Sequence, residues 1–131
     1  MKVLALDYGS ARTGVAVSDP TGTVARPLDV VEDAGGDAGL RRLAEIARSE
    51  AVERIVVGLP LTLRGEHGAQ AAETEDFVAR LREATRVPVV SFDERFTTRI
   101  AESQPSRAPS DAVAAAHLLT GYLTWLSADA T

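Results

Sequence analysis

The 131-residue chain contains no cysteine, so disulfide frameworks, thiolate catalysis and cysteine-based zinc sites are all excluded. Long apolar runs are missing too; no stretch approaches the ~20 residues of a membrane span. The N-terminal residues Met1-Lys2-Val3-Leu4 lead into a strand that already carries Asp7, which does not read as a signal peptide. A cytoplasmic location with no membrane partner is the resulting expectation. Lysine is almost absent: Lys2 is the only one, and the remaining basic residues are arginines. Positive charge is scarce overall, with a formal net charge of -5. That argues against non-specific coating of nucleic acid, which needs a broad basic surface. It does not exclude a nuclease, because carboxylates that bind divalent ions add negative charge of their own. Ser10 and Ser91 have no histidine–carboxylate pair nearby in the pattern, so a serine triad is unsupported.

What is present is a balance of apolar and charged residues typical of one globular domain, expected to span residues 1–131. Apolar runs at residues 2–7, 14–18 and 23–32, joined by short links, predict an antiparallel meander. Asp19-Pro20-Thr21-Gly22 is a turn signal, and Pro27 marks the third strand as an edge. Asp37 is placed to cap a helix over 38–50, with Leu40, Leu43, Ala44 and Ala47 on one face. A continuous apolar strand over 54–59 reads as buried on both faces. Further elements are a helix over 69–85, a strand over 87–92, a short helix near Thr97, and a final helix over 111–126 capped by Ser110. A meander followed by helix–strand alternation implies an α/β domain with a five-stranded mixed sheet and helices on both faces. Right-handed crossovers place the fourth strand beside the first. This order resembles the ribonuclease H-like fold.

Chemistry concentrates at the strand ends. The run Asp7-Tyr8-Gly9-Ser10-Ala11-Arg12-Thr13-Gly14-Val15-Ala16 puts a carboxylate at the tip of the first strand, beside a glycine turn with one arginine. Gly9 would let a phosphate or metal approach the backbone, and Arg12 offers a planar fork for phosphate oxygens. Asp93 and Glu94 end the fifth strand, and Asp111 opens the last helix. Carboxylates from three distant segments would suit Mg²⁺ or Mn²⁺. Of the adjacent pair, Glu94 is favoured over Asp93 because its longer side chain can span from strand five to strand one. Asp111 also has a plain structural use, since a carboxylate in a first helical turn complements the helix dipole. Arg64, Arg95, Arg99 and Arg107 are the other basic groups near these loops. Arg95 followed by Thr97-Thr98 at a helix start makes the better phosphate cradle. Tyr122 and Trp125 are expected in the core or on a dimer face.

Four blocks, in order, resemble the YqgF family, also called RuvX: Asp7-x-Gly9-x-x-Arg12-x-Gly14-x-Ala16; Val57-Gly58-Leu59-Pro60; Asp93-Glu94-Arg95-Phe96-Thr97-Thr98; and Asp111 with Ala114-Ala115 and Leu119-x-x-Tyr122-Leu123. The resemblance implies a RuvC-like, ribonuclease H-like fold and a nuclease dependent on Mg²⁺ or Mn²⁺. The implied substrates are the 5′ end of precursor 16S ribosomal RNA, or branched DNA such as a Holliday junction. Its acidic positions fall on Asp7, Glu94 and Asp111, as catalytic and metal-binding residues. Substrate contacts are expected at Gly9, Arg12, Arg64, Arg95 and Thr97. A homodimer would suit a two-fold junction. The chain departs from the family pattern at Ser103-Gln104-Pro105-Ser106-Arg107-Ala108-Pro109, which is short and carries one basic residue. Fewer phosphate contacts imply weaker binding with a flatter salt dependence. Two rival readings are a non-catalytic nucleic-acid-binding module and half of an actin-like ATPase. The latter requires a second domain that 131 residues do not supply.

Overall fold

A computed structural model describes residues 1–60, 68–94 and 110–129. The elements are β1 (Val3–Asp7), β2 (Arg12–Ser18), β3 (Ala25–Glu32), α1 (Asp37–Ser49), β4 (Arg54–Leu59), α2 (Ala69–Ala84), β5 (Val89–Asp93) and α3 (Ser110–Asp129). The strands form one sheet in the order β3-β2-β1-β4-β5. The first three pair antiparallel, whereas β4 runs parallel to both β1 and β5. The crossover after α1 brings the fourth strand beside the first, the expected placement. Pro27 does lie in an edge strand, next to a register shift opposite Val15 and Ala16. That position spares the ladder the N–H that proline lacks.

Strand alternation divides the core in two. Leu4, Leu6, Val15, Val17, Ile55 and Val57 face α1 and α2, packing with Leu43, Phe77 and Leu81. Val3, Ala5, Ala16 and Val56 face α3, packing with Ala115, Leu119 and Tyr122. Small residues on both sides of this second layer, Ala5 and Ala16 against Ala112 and Ala115, let α3 lie close to the sheet. Tyr122 is buried and its hydroxyl accepts a hydrogen bond from Arg54 Nη1 at 2.8 Å, while Trp125 is 45% exposed.

Two details depart from expectation. Asp37 does not cap α1: Gly36 occupies the cap position without a side-chain hydrogen bond, and Asp37 is the first helical residue. The Asp33–Gly36 turn, closed by a Gly36 N–H to Asp33 carbonyl bond of 3.0 Å, starts the helix instead. Asp37 acts there through the helix dipole. The last helix also runs longer than expected, from Ser110 to Asp129. The short helix expected near Thr97 and the loop over 103–109 lie outside the described residues. Among the described residues, no helix is long and apolar enough to cross a membrane.

Candidate active site at the sheet edge

Because β1, β4 and β5 are parallel, their C-terminal ends share one edge of the sheet. Asp7 closes β1 and continues the Val3–Ala5 alternation, so it belongs to the face covered by α3. Glu94 follows β5 two residues after Phe92, which packs on that same face. The two carboxyl groups lie within hydrogen-bonding reach of each other. Burial pushes Glu94 up from 4.5 to about 7, and the charge of Asp7, the shared hydrogen bond and the charge of Asp93 add to the rise. Asp7 is also raised, first by burial and then by the charge of Asp111, against the stabilising bond from Glu94. Burial thus disfavours charge on both carboxyls, and the charge of Asp7 disfavours it further on Glu94.

Asp111 arrives from α3. Its Oδ2 lies 3.2 Å from Arg12 Nε, with the two side chains 40% and 64% exposed. Such an exposed pair is worth ~0–1 kcal/mol, so it orients both groups without holding them firmly. Arg12 itself stands at the start of β2, fixed by the turn that links it to β1. In that turn the buried Thr13 hydroxyl lies 3.4 Å from both the N–H and the carbonyl of Gly9. A Cβ on Gly9 would stand 2.5 Å from the Arg12 carbonyl oxygen. The glycine expected to admit a ligand is thus needed to close the turn.

Two glycines with no chemistry of their own shape this site. Gly14 is the register partner of Asp7, and a Cβ there would stand 1.8 Å from the carbonyl oxygen of Asp111. Gly58 lies in β4 beneath Glu94, where a Cβ would stand 2.6 Å from Oε1. A glycine inside a strand pattern is itself a signal of close approach, and both positions carried it. Arg64, Arg95 and Thr97 lie outside the described residues.

The donor set fits a hard divalent cation: all three candidates are carboxylates, and Asp7 and Glu94 lie within reach of each other. Among the described residues no three acidic or histidine side chains are gathered tightly enough to enclose an ion. Asp111 is turned to Arg12 through its Oδ2.

A pH prediction follows from Glu94. Its folded-state value is raised, so the folded protein binds more protons than the unfolded chain between pH 4.5 and about 7. Stability is highest below that window and falls as pH rises through it. Glu94→Gln keeps a donor for Asp7 and removes the ionisation. In chelator-treated protein it is expected to be more stable than wild type by about 1–2 kcal/mol at pH 8, and equal at pH 4.5. Urea unfolding at the two pH values measures this; equal midpoints at pH 8 would show that Glu94 carries no ionisation penalty.

The family model described as "RuvX: Holliday junction resolvase" matches residues 1–125. This chain belongs to the RuvX family. RuvX relatives of nearly the same length are close in sequence. A protein of Rubrobacter xylanophilus is 45% identical over 130 residues, covering 93% of this chain and 91% of the relative. One of Desulforudis audaxviator is 39% identical over 132 residues, covering 94% of each. Both are named "Putative pre-16S rRNA nuclease". In structure, the RuvX chain is similar to Thermus thermophilus RuvC in complex with a Holliday junction substrate. The TM-score is 0.69 at 17% identity, covering 98% of this chain and 96% of that one. It is also similar to the fowlpox virus resolvase, with a TM-score of 0.56 at 12% identity, covering 96% and 99%. These likenesses establish the RuvC-like, ribonuclease H-like fold.

Proposed function

We propose that this RuvX protein is a divalent-metal-dependent nuclease that matures the 5′ end of precursor 16S ribosomal RNA. The observation that carries the reading is the hydrogen-bonded Asp7–Glu94 pair at the sheet edge, with Asp111 brought over the same edge by α3. Two carboxyl groups held together where burial disfavours their charge form a site that a cation can stabilise. The names of the relatives support ribosomal RNA as the substrate.

In this reading Asp7, Glu94 and Asp111 are the catalytic residues and would hold Mg²⁺ or Mn²⁺. The bound ion would supply an activated water and stabilise the leaving oxygen. Arg12 sits on the exposed side of Asp111, where its guanidinium can exchange that carboxylate for a phosphate oxygen of the substrate. Arg64, Arg95, Thr97 and the Gly9 turn are the remaining proposed substrate contacts. In-line attack of water on phosphorus leaves a 5′-phosphate and a 3′-hydroxyl. The protein acts in the cytoplasm, where its substrate is made, and a homodimer would present two such edges.

The family description favours a second reading, resolution of branched DNA. Purified protein with Mn²⁺ on end-labelled precursor RNA and on a four-way DNA junction separates the two. RNA cleavage at a defined 5′ position, with the junction uncut, is the expected result. Junction cleavage alone replaces the RNA assignment. Binding to either without cutting under any divalent ion overturns catalysis and leaves a binding module. Arg12→Gln is expected to lower cleavage about 10-fold and to reduce the slope of log affinity against log salt by ~0.7–0.9, one phosphate contact. An unchanged slope removes Arg12 from the phosphate contacts.

A further inference from the structure

We propose that Gly58 is a positioning residue, whose missing side chain is the passage by which Glu94 crosses β4 to reach Asp7. The strand order requires such a passage. Asp7 ends β1 and Glu94 follows β5, with β4 lying between them. Alternation along β4 sends Val56 to the α3 face, and Gly58, two residues on, comes to the same face. It is also the register partner of Phe92, next to the end of β5. A Cβ at position 58 would stand 2.6 Å from Glu94 Oε1, 2.9 Å from its Cγ and 3.1 Å from Leu118 Cδ2. The Glu94 side chain therefore occupies the volume that any other residue would fill, with α3 close above it. Alanine is the smallest alternative and already intrudes on two Glu94 atoms.

The nearest obstacles to a methyl group are side-chain atoms, not backbone. Glu94 can swing aside, so the expected loss is one of placement and not of fold. Gly58 thus differs from Gly14, whose nearest obstacle is the backbone of α3. The inference deepens the nuclease reading and rests on it for its effect on cleavage; the placement of Glu94 can be tested without it.

The first test is a crystal structure of metal-free Gly58→Ala. Glu94 is expected out of hydrogen-bonding distance of Asp7, and a retained Asp7–Glu94 bond overturns the proposal whatever the protein cleaves. The second is Mn²⁺ titration by calorimetry. Affinity is expected to fall about 10-fold and cleavage about 100-fold, the scale of an ångström-level misplacement. In a Glu94→Gln background the same substitution should cost almost nothing further, because its effect runs through Glu94. An equal loss in both backgrounds assigns Gly58 a general structural role and overturns the proposal. If Gly58→Ala does not fold, Gly58→Ala/Leu118→Ala relieves the helix contact and keeps the methyl group against Glu94. Should the wild type neither bind Mn²⁺ nor cleave, the nuclease reading fails while the crystallographic result still decides the role of Gly58.

Discussion

Asp7→Asn is expected to reduce single-turnover cleavage of the preferred substrate by about 10³-fold, or about 4 kcal/mol of activation free energy. The substitution keeps the shape of the side chain and a hydrogen-bond partner for Glu94, but removes the charge that would hold a cation beside the scissile phosphate. Its effect on the fold runs the other way. Burial disfavours the Asp7 charge, so the metal-free variant should melt no lower than wild type at neutral pH. Loss of cutting with unchanged or raised thermal stability is the expected pair of results. A variant that cleaves as fast as wild type would remove Asp7, and with it the site, from the mechanism.

Gly14→Ala is expected to have the largest effect of any single methyl group. The added Cβ would lie 1.8 Å from the Asp111 carbonyl oxygen, 2.4 Å from its carbonyl carbon and 3.0 Å from the Ala112 nitrogen. All three are backbone atoms, so no rotamer change relieves the overlap and the first turn of α3 must shift. Overpacking of this kind costs about 3 kcal/mol or more when the backbone has to move. Asp111 moves with the turn, away from Arg12 and the Asp7 edge, and cleavage should fall at least about 100-fold. Urea unfolding and cleavage rates measured on the same preparation check both parts. Wild-type stability would mean that α3 does not rest on Gly14 in solution.

Much of the fold can be read locally. Alternating apolar residues mark β1 and β2, a continuous apolar run marks β4, and helical spacing marks α1 and α2; each depends on near neighbours in the chain. The handedness of crossovers then leaves few places for β4, and it takes the one beside β1. Helix starts were less legible. Asp37 has the composition of a cap, yet the Asp33–Gly36 turn does that work, because the approach direction of the chain is decided by packing and not by residue type.

The same division holds at the candidate site. Asp7, Glu94 and Asp111 were recognisable as carboxylates at element ends, and reach alone favoured Glu94 over Asp93. That reach acts across a strand, and the structure shows what permits it: a bare position at Gly58. At Gly9 the structure adds a second reason for glycine, since the Arg12 carbonyl lies where a Cβ would stand.

The sequence alone therefore determined the kinds of element, their order, the candidate carboxylates and the family. These are properties of short segments or of motifs in series. Only the tertiary structure decided that Asp7 and Glu94 meet across β4, that Asp111 faces Arg12, and that two glycines lie in close approach to Glu94 and to the start of α3. Those facts depend on which strands are neighbours and how closely a helix can approach them, and close packing between segments distant in the chain leaves no local pattern beyond an unexpected glycine.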